Sequence, residues 1–369
     1  MDNLCHTLVG AALAEAGGRR LTPLATATLI VGANLPDLDV AALAWGPAAA
    51  VAWRRGSTHG VLALALLPPL LAGAMLLWDR RVRRRRRPDA RPARPLALLG
   101  LAAAAVLSHP LLDWLNNYGM RWWMPFAGSW SYGDALFIAD VWVWLGLGLG
   151  VLAAWRRRRS GRAHPELPAR AALALVALYA ALMLLATAAA RDTAREGFRR
   201  AGIRIGRLMA APVPLDPLRR QVVADAGDRY VLASVDWLRR PVFAVTPGDV
   251  PKQRPLPPVE AAPGADAAAA DPAAVAAVAA RTVDGRRFLS WARFPFYRVE
   301  PWSGGPAGGW VVWLLDARYA LAPGGRFGAL AVRVPYLPEQ PAASRRPRAL
   351  APDRRQDAPA AGPGAALPE

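Results

Sequence analysis

Long apolar runs alternate with short polar, arginine-rich stretches through the first 190 residues, and the pattern changes beyond them. Four runs, roughly 60–78, 95–114, 136–155 and 169–190, are long enough to cross a bilayer as helices, which takes about 20 residues. Two shorter apolar runs come first, 4–16 and 21–35. At about 1.5 Å per residue each reaches only about 20 Å, so they cross with tilt and local thinning or form a re-entrant hairpin. About six membrane segments are therefore expected. From residue 191 the runs shorten and half-alternate between apolar and polar positions. QVVADA, RYVLASVDW, GRRFLSWARF, GWVVWLLDARYAL and FGALAVRVPYL are separated by Gly, Pro and Asp and read as antiparallel strands.

The expected fold is a polytopic α-helical membrane domain over 1–190, followed by a small β-rich extramembrane domain over 191–338. Within the second domain, 246–284 is a Pro/Ala-rich insert that carries one short Ala-rich helix at 272–281. Residues 339–369 hold Pro, Ala and Arg without periodicity and are expected to form a disordered tail.

Charge refines this picture. The chain has 369 residues, 54% of them apolar, and a formal net charge of +19. Such a charge invites a nucleic-acid reading, but its placement argues against one. Arginines crowd into 79–94 and 156–170, each cluster abutting a membrane-length run, which is the positive-inside pattern. Lys252 is the lone lysine, so the excess of Arg reflects coding bias rather than selection for charge. With both clusters in the cytoplasm, 95–114 runs outward, 136–155 inward and 169–190 outward, and the β-rich domain lies on the outer side. Cys5 is the single cysteine, so no intramolecular disulfide forms. The N-terminal stretch lacks the basic region of a cleavable signal peptide.

The remaining polar residues carry the candidate chemistry. His6, His59 and His109 sit where apolar runs begin or end, as do Asp37 and Asp39 in NLPDLD, Asp113 in SHPLLD, and Asp134 and Asp140 in SYGDALFIAD. The arginine-derived orientation puts all of them at one membrane face. His109 and Asp113 are one helical turn apart and share a face. Imidazole and carboxylate suit Zn²⁺ and similar divalent ions, with Mn²⁺ also compatible. Each motif alone has a bland reading: an N-cap, a turn, an interfacial helix end. An ionisable side chain within an apolar run, as at Asp140, is functional by default. Arg55 and Arg121 are candidates for holding an anionic substrate group, since Arg forks carboxylate and phosphate; interfacial anchoring is the equal alternative.

In that order after an N-terminal His, the segments NLPDLD, RGSTHG, HPLLDWLNNYGMRWWMPF and YGDALFIAD resemble the YdjM-type inner-membrane metal-dependent hydrolases of the LexA-regulated kind. The resemblance covers about 1–190 and implies a multi-pass protein of the bacterial inner membrane. The order His, Asp, His, His-x₃-Asp is also similar to the zinc-dependent phospholipase C and P1 nuclease group. That pattern implies His6, Asp37 or Asp39, His59, His109 and Asp113 as metal ligands. It departs after Asp113, where further ligand histidines are absent, so one or two ions are expected.

Taken together, the reading is a membrane-bound hydrolase in which a divalent metal activates water against a phosphoester or other ester. The expected metal ligands are His6, Asp37, Asp39, His59, His109 and Asp113, with Asp140 or Asp134 as ligand or general base. A site at the interface makes a lipid or lipid-linked substrate the preferred expectation, with the bilayer as partner and no nucleic acid. The rivals are a non-catalytic metal-binding or transport protein, and a structural membrane protein whose polar cluster only holds helices together.

Overall fold

A computed structural model describes residues 1–246, 272–302, 309–319 and 327–335. The membrane part is built from α1 (Asn3–Glu15), α2 (Ala25–Asn34), α3 (Pro47–Trp53), α4 (Val61–Trp78), the single turn α5 (Arg84–Arg86), α6 (Pro95–Trp114), α7 (Val141–Arg159) and α8 (Leu167–Arg200). A 3₁₀ segment, Leu35–Trp45, continues α2, and a π turn, Asp79–Arg83, joins α4 to α5. Among the described residues, four helical stretches are long and apolar enough to cross a membrane: Ala25–Trp45, Val61–Arg86, Pro95–Trp114 and Leu167–Arg200.

Of the six segments expected, four stretches reach that length and hydropathy among the described residues, and α1 and α7 fall short of it. Helix α1 has only 13 residues, and α7 ends in four consecutive arginines, which cuts its apolar length. The starts of these helices follow simple rules. Pro95 opens α6 at a position where no N–H is needed. Asp2 caps α1 by accepting from the amides of Leu4 and Cys5, and Asp140 caps α7 through Trp142 and Val143. Small residues let the helices approach closely, as expected where lipid gives no hydrophobic drive for helix association. A Cβ placed on Gly10 of α1 would lie 2.7 Å from the Leu29 carbonyl of α2. Helix α6 packs on α2 and α4, while α7 packs on α8 and α1.

Helix α8 is 34 residues long and runs past residue 190 into the second domain. Its Ala190, Ala194 and Phe198 pack on Ala210, Val222 and Val231 of an antiparallel sheet ordered β1 (Leu208–Val213), β2 (Asp216–Asp225), β3 (Tyr230–Asp236), β4 (Phe243–Val245). A second antiparallel sheet holds β5 (Pro295–Trp302), β6 (Gly309–Asp316) and β7 (Ala329–Pro335). Met209, Val223 and Leu232 of the first sheet meet Phe294 and Phe296 beside the second. Helices α9 (Pro272–Arg281) and α10 (Val283–Leu289) cover the other face of the second sheet through Val275, Ala279, Phe288 and Trp291.

The Ala-rich helix expected at 272–281 is α9. The strand expected over GRRFLSWARF is instead α10 and the turn after it. Thr282 caps that helix by accepting from the Gly285 amide, and Phe288 on the helix packs into the same core as Trp291 in the turn after it. The tail expected at 339–369 lies outside the described residues, as does most of the 246–284 insert.

Candidate metal centre

Four backbone segments converge. Helix α1 brings His6, the 3₁₀ segment brings Asp37 and Asp39, the turn before α4 brings His59, and α6 brings His109 and Asp113. The turn is fixed by close backbone contact: the Val61 amide donates to the Trp122 carbonyl, and a Cβ on Gly60 would collide with the Met124 carbonyl. Ligand atoms of Asp37, His59, His109 and Asp113 all lie within 4.8 Å of one another, and all four residues are buried.

The hydrogen bonds fix which nitrogen of each ring is free. His109 Nδ1 lies 2.6 Å from the Ala33 carbonyl, which can only accept, so Nδ1 carries the proton and Nε2 is bare. Thr58 Oγ1 donates to Asp39 Oδ2 at 3.3 Å and so accepts from His59 Nδ1 at 3.0 Å, which again leaves Nε2 bare. His59 Nδ1 is itself 3.3 Å from Asp39 Oδ2. Asp39 thus orients a histidine, an arrangement common behind metal-ligating imidazoles. The two bare Nε2 atoms stand 3.0 Å apart. Asp113 Oδ2 is 3.4 Å from His59 Nε2 and 3.5 Å from His109 Nε2, and Asp37 Oδ1 is 4.0 Å and 3.8 Å from the same atoms. Burial holds the His59 imidazole below its ordinary range, in the neutral form a ligand requires.

These distances fit a small divalent ion. Two nitrogens at about 2.0–2.1 Å from a tetrahedral zinc are about 3.3 Å apart. Asp37 Oδ2, Asp39 Oδ1 and both nitrogens of His6 are buried without a hydrogen-bond partner. Such a set of unpartnered buried polar atoms, carboxylate oxygens among them, is what a cation site would provide. The His6 ring stacks on His109 with centroids 3.7 Å apart, and its Nε2 is 3.4 Å from Asp113 Oδ1.

Arg55 behaves differently from the expectation. Its guanidinium is 2% exposed and donates to Asp113 Oδ1 at 2.9 Å, with Nε 2.9 Å from Oδ2 in ion-pair contact. It also donates to Asn116 Oδ1 at 2.7 Å and to the Gly119 carbonyl at 3.2 Å. Arg55 therefore holds a candidate ligand carboxylate rather than an open substrate position. The α-amino group of Met1 pairs with the same carboxylate. Arg121 donates to the carbonyls of Ala52 and Arg54 and lies over the Trp130 ring, which makes it a fastener of the loop.

The structure does not bring Asp134 or Asp140 to this cluster. Asp134 pairs with Arg191 of α8 and Arg293 of the second domain. Asp140 caps α7 and accepts from the Tyr179 hydroxyl. Two residues that carry no site signal in the sequence matter here. Asn116 is fully buried and accepts from both Arg55 and the Tyr118 amide. Arg318 donates to the carbonyls of Asn117, Tyr118 and Trp291 while bonding Asp316, and so clamps the loop after α6 to the second domain.

Apolar helices of membrane length around a buried His/Asp cluster define a membrane protein with a candidate metal centre. Residues 1–191 match the family described as YdjM inner membrane protein. The match covers more than half of the 369 residues, and the chain belongs to that family. No curated protein and no solved structure matches the chain.

Proposed function

We propose that the protein is a metal-dependent hydrolase of the inner membrane, acting on a phosphoester or other ester of a lipid or lipid-linked substrate. The observation that carries this reading is the pair of bare histidine nitrogens 3.0 Å apart beside two buried carboxylates. Asp37, His59, His109 and Asp113 would hold the ion, zinc or manganese, with His6 alongside. When bound, such an ion supplies Lewis acidity towards an ester oxygen and lowers the pKa of a coordinated water.

The chain's own residues set up that chemistry. The Ala33 carbonyl and the Thr58–Asp39 relay keep the two imidazoles in the ligating tautomer. Arg55 forks Asp113 and orients its carboxylate. The arginine clusters at 79–94 and 156–170 follow the positive-inside pattern, and with α7 crossing the bilayer this supports a reading in which the centre and the second domain face the periplasm.

A non-catalytic metal-binding role is the second reading, favoured by the complete burial of His59 and His109. Metal content and ester turnover of the detergent-purified protein separate the two. Metal with turnover of an ester panel, both lost in His59→Ala, supports the hydrolase. Metal without turnover of any phosphoester or carboxylic ester supports the binding role.

A further inference from the structure

A cavity of about 510 Å³ lies between the two domains, a volume usual for small-molecule sites. Its walls are mostly apolar. Val51 of α3 and Leu43 of the 3₁₀ segment face Phe288, Trp291 and Leu330 of the second domain across it. Arg54 and Arg55 line its membrane-domain end, next to the His/Asp cluster. Arg55 is committed to Asp113, whereas Arg54 is 31% exposed at its side chain, donates from Nη2 to Asp37 Oδ1 at 3.1 Å and has its Nε 3.9 Å from Asp39 Oδ1 in ion-pair contact. Its Nη1 end has no carboxylate partner among the described residues and can donate to an anion in the cavity. The one lining carboxylate, Asp2, is occupied by the α1 cap and by the Trp144 indole.

One lining residue also belongs to exposed apolar surface. Leu43 lines it and is itself 54% exposed, on the 3₁₀ segment that also exposes Leu38 and Trp45, and Trp53 at the end of α3 is exposed as well. An exposed apolar strip with tryptophans, on a chain of the inner membrane family, is a surface for the bilayer interface. Leu43 thus belongs both to the cavity wall and to the exposed apolar surface.

We propose that this cavity binds a phosphate-bearing lipid, with the phosphate on Arg54 and the hydrocarbon against Val51, Phe288, Trp291 and Leu330. This makes Arg54 the residue that selects for the anionic headgroup, and it gives the second domain half of the binding wall. The binding stands on the cavity alone; the role of the bound lipid as substrate rests on the hydrolase reading above.

The test is native mass spectrometry of the full-length protein in detergent with phosphatidic acid and, separately, diacylglycerol of the same chains. The parent should prefer phosphatidic acid by about tenfold, the scale of one charge-assisted hydrogen-bonded contact. Arg54→Ala should abolish that preference and leave diacylglycerol binding unchanged. Leu330→Trp, which fills the cavity from the second domain, should weaken both lipids. Equal binding of the two lipids by the parent would overturn the proposal, as would undiminished binding in Leu330→Trp, which would place the lipid on the outer surface of the helices. Displacement of phosphatidic acid by inorganic phosphate alone would also overturn it, in favour of a soluble anion. Metal content and turnover are measured on the same samples. Selective binding without turnover of phosphatidic acid removes the hydrolase reading for this lipid and leaves the binding site standing.

Discussion

His59 and His109 present bare Nε2 atoms to one another across 3.0 Å. The partner ring nitrogens are committed to Thr58 and to the Ala33 carbonyl, so no N–H lies between the two. Two lone pairs so placed, with Asp113 and Asp37 oxygens beside them, form a group that could hold a cation. The purified protein is expected to contain a divalent ion, and the His59→Ala/His109→Ala double variant to lack it, as read by elemental mass spectrometry. Chelation should lower the thermal midpoint of the parent, since an ion in large excess over its dissociation constant stabilises by about 3–4 kcal/mol. A metal-free parent whose midpoint ignores chelators would remove the centre.

Arg55 and Asp113 form a buried ion pair, and breaking such a pair from one side leaves a charge without a partner. Arg55→Ala is expected to cost about 3–5 kcal/mol, and Arg55→Lys less, because lysine keeps the charge but loses the fork. Thermal unfolding of both variants in detergent measures this. Equal stability of Arg55→Ala and the parent would mean that the pair contributes nothing.

Asp140 and Asp134 are engaged in capping and domain contact. Asp140→Asn should keep the cap, since Asn serves there nearly as well, and should leave metal content unchanged. Asp134→Asn weakens the contacts to Arg191 and Arg293 and should raise protease sensitivity between α8 and the second domain, again without loss of metal. Loss of metal in either variant would return that carboxylate to the centre.

Arg318 sits in a fully buried bond network, and Arg318→Met removes its donors from three carbonyls at once. Hydrogen exchange should then accelerate in residues 117–132 while metal content holds. Unchanged exchange there would show that the loop needs no anchor in the second domain.

Much of this arrangement was legible in the chain. The runs at 60–78 and 95–114 became α4 and α6 within a residue of their expected limits, because apolar length alone fixes such helices. His59, His109, Asp37 and Asp113 were readable because polar groups at the ends of apolar runs are costly enough to need a reason. The errors have physical causes too. GRRFLSWARF offers partial alternation, yet Thr282 just before it provides a cap, and the helix prevails as far as Leu289. Arg55 looked like an anion hook because its partner, Asp113, lies 58 positions away and no local pattern joins them. Arg318 gave no signal at all, since an arginine in a β-rich segment is ordinarily a surface residue.

The clamp from Arg318 to the Tyr118 carbonyl joins positions 200 apart in the chain. Every residue of the His/Asp cluster has been synthesised by position 113, but the far wall of the cavity, at Trp291 and Leu330, has not. A growing or truncated chain can thus assemble its cluster while the chamber above it stands open on one side. The order of synthesis delays the complete chamber until the last strand is in place, so an unfinished molecule in the membrane has no closed compartment in which to hold a guest.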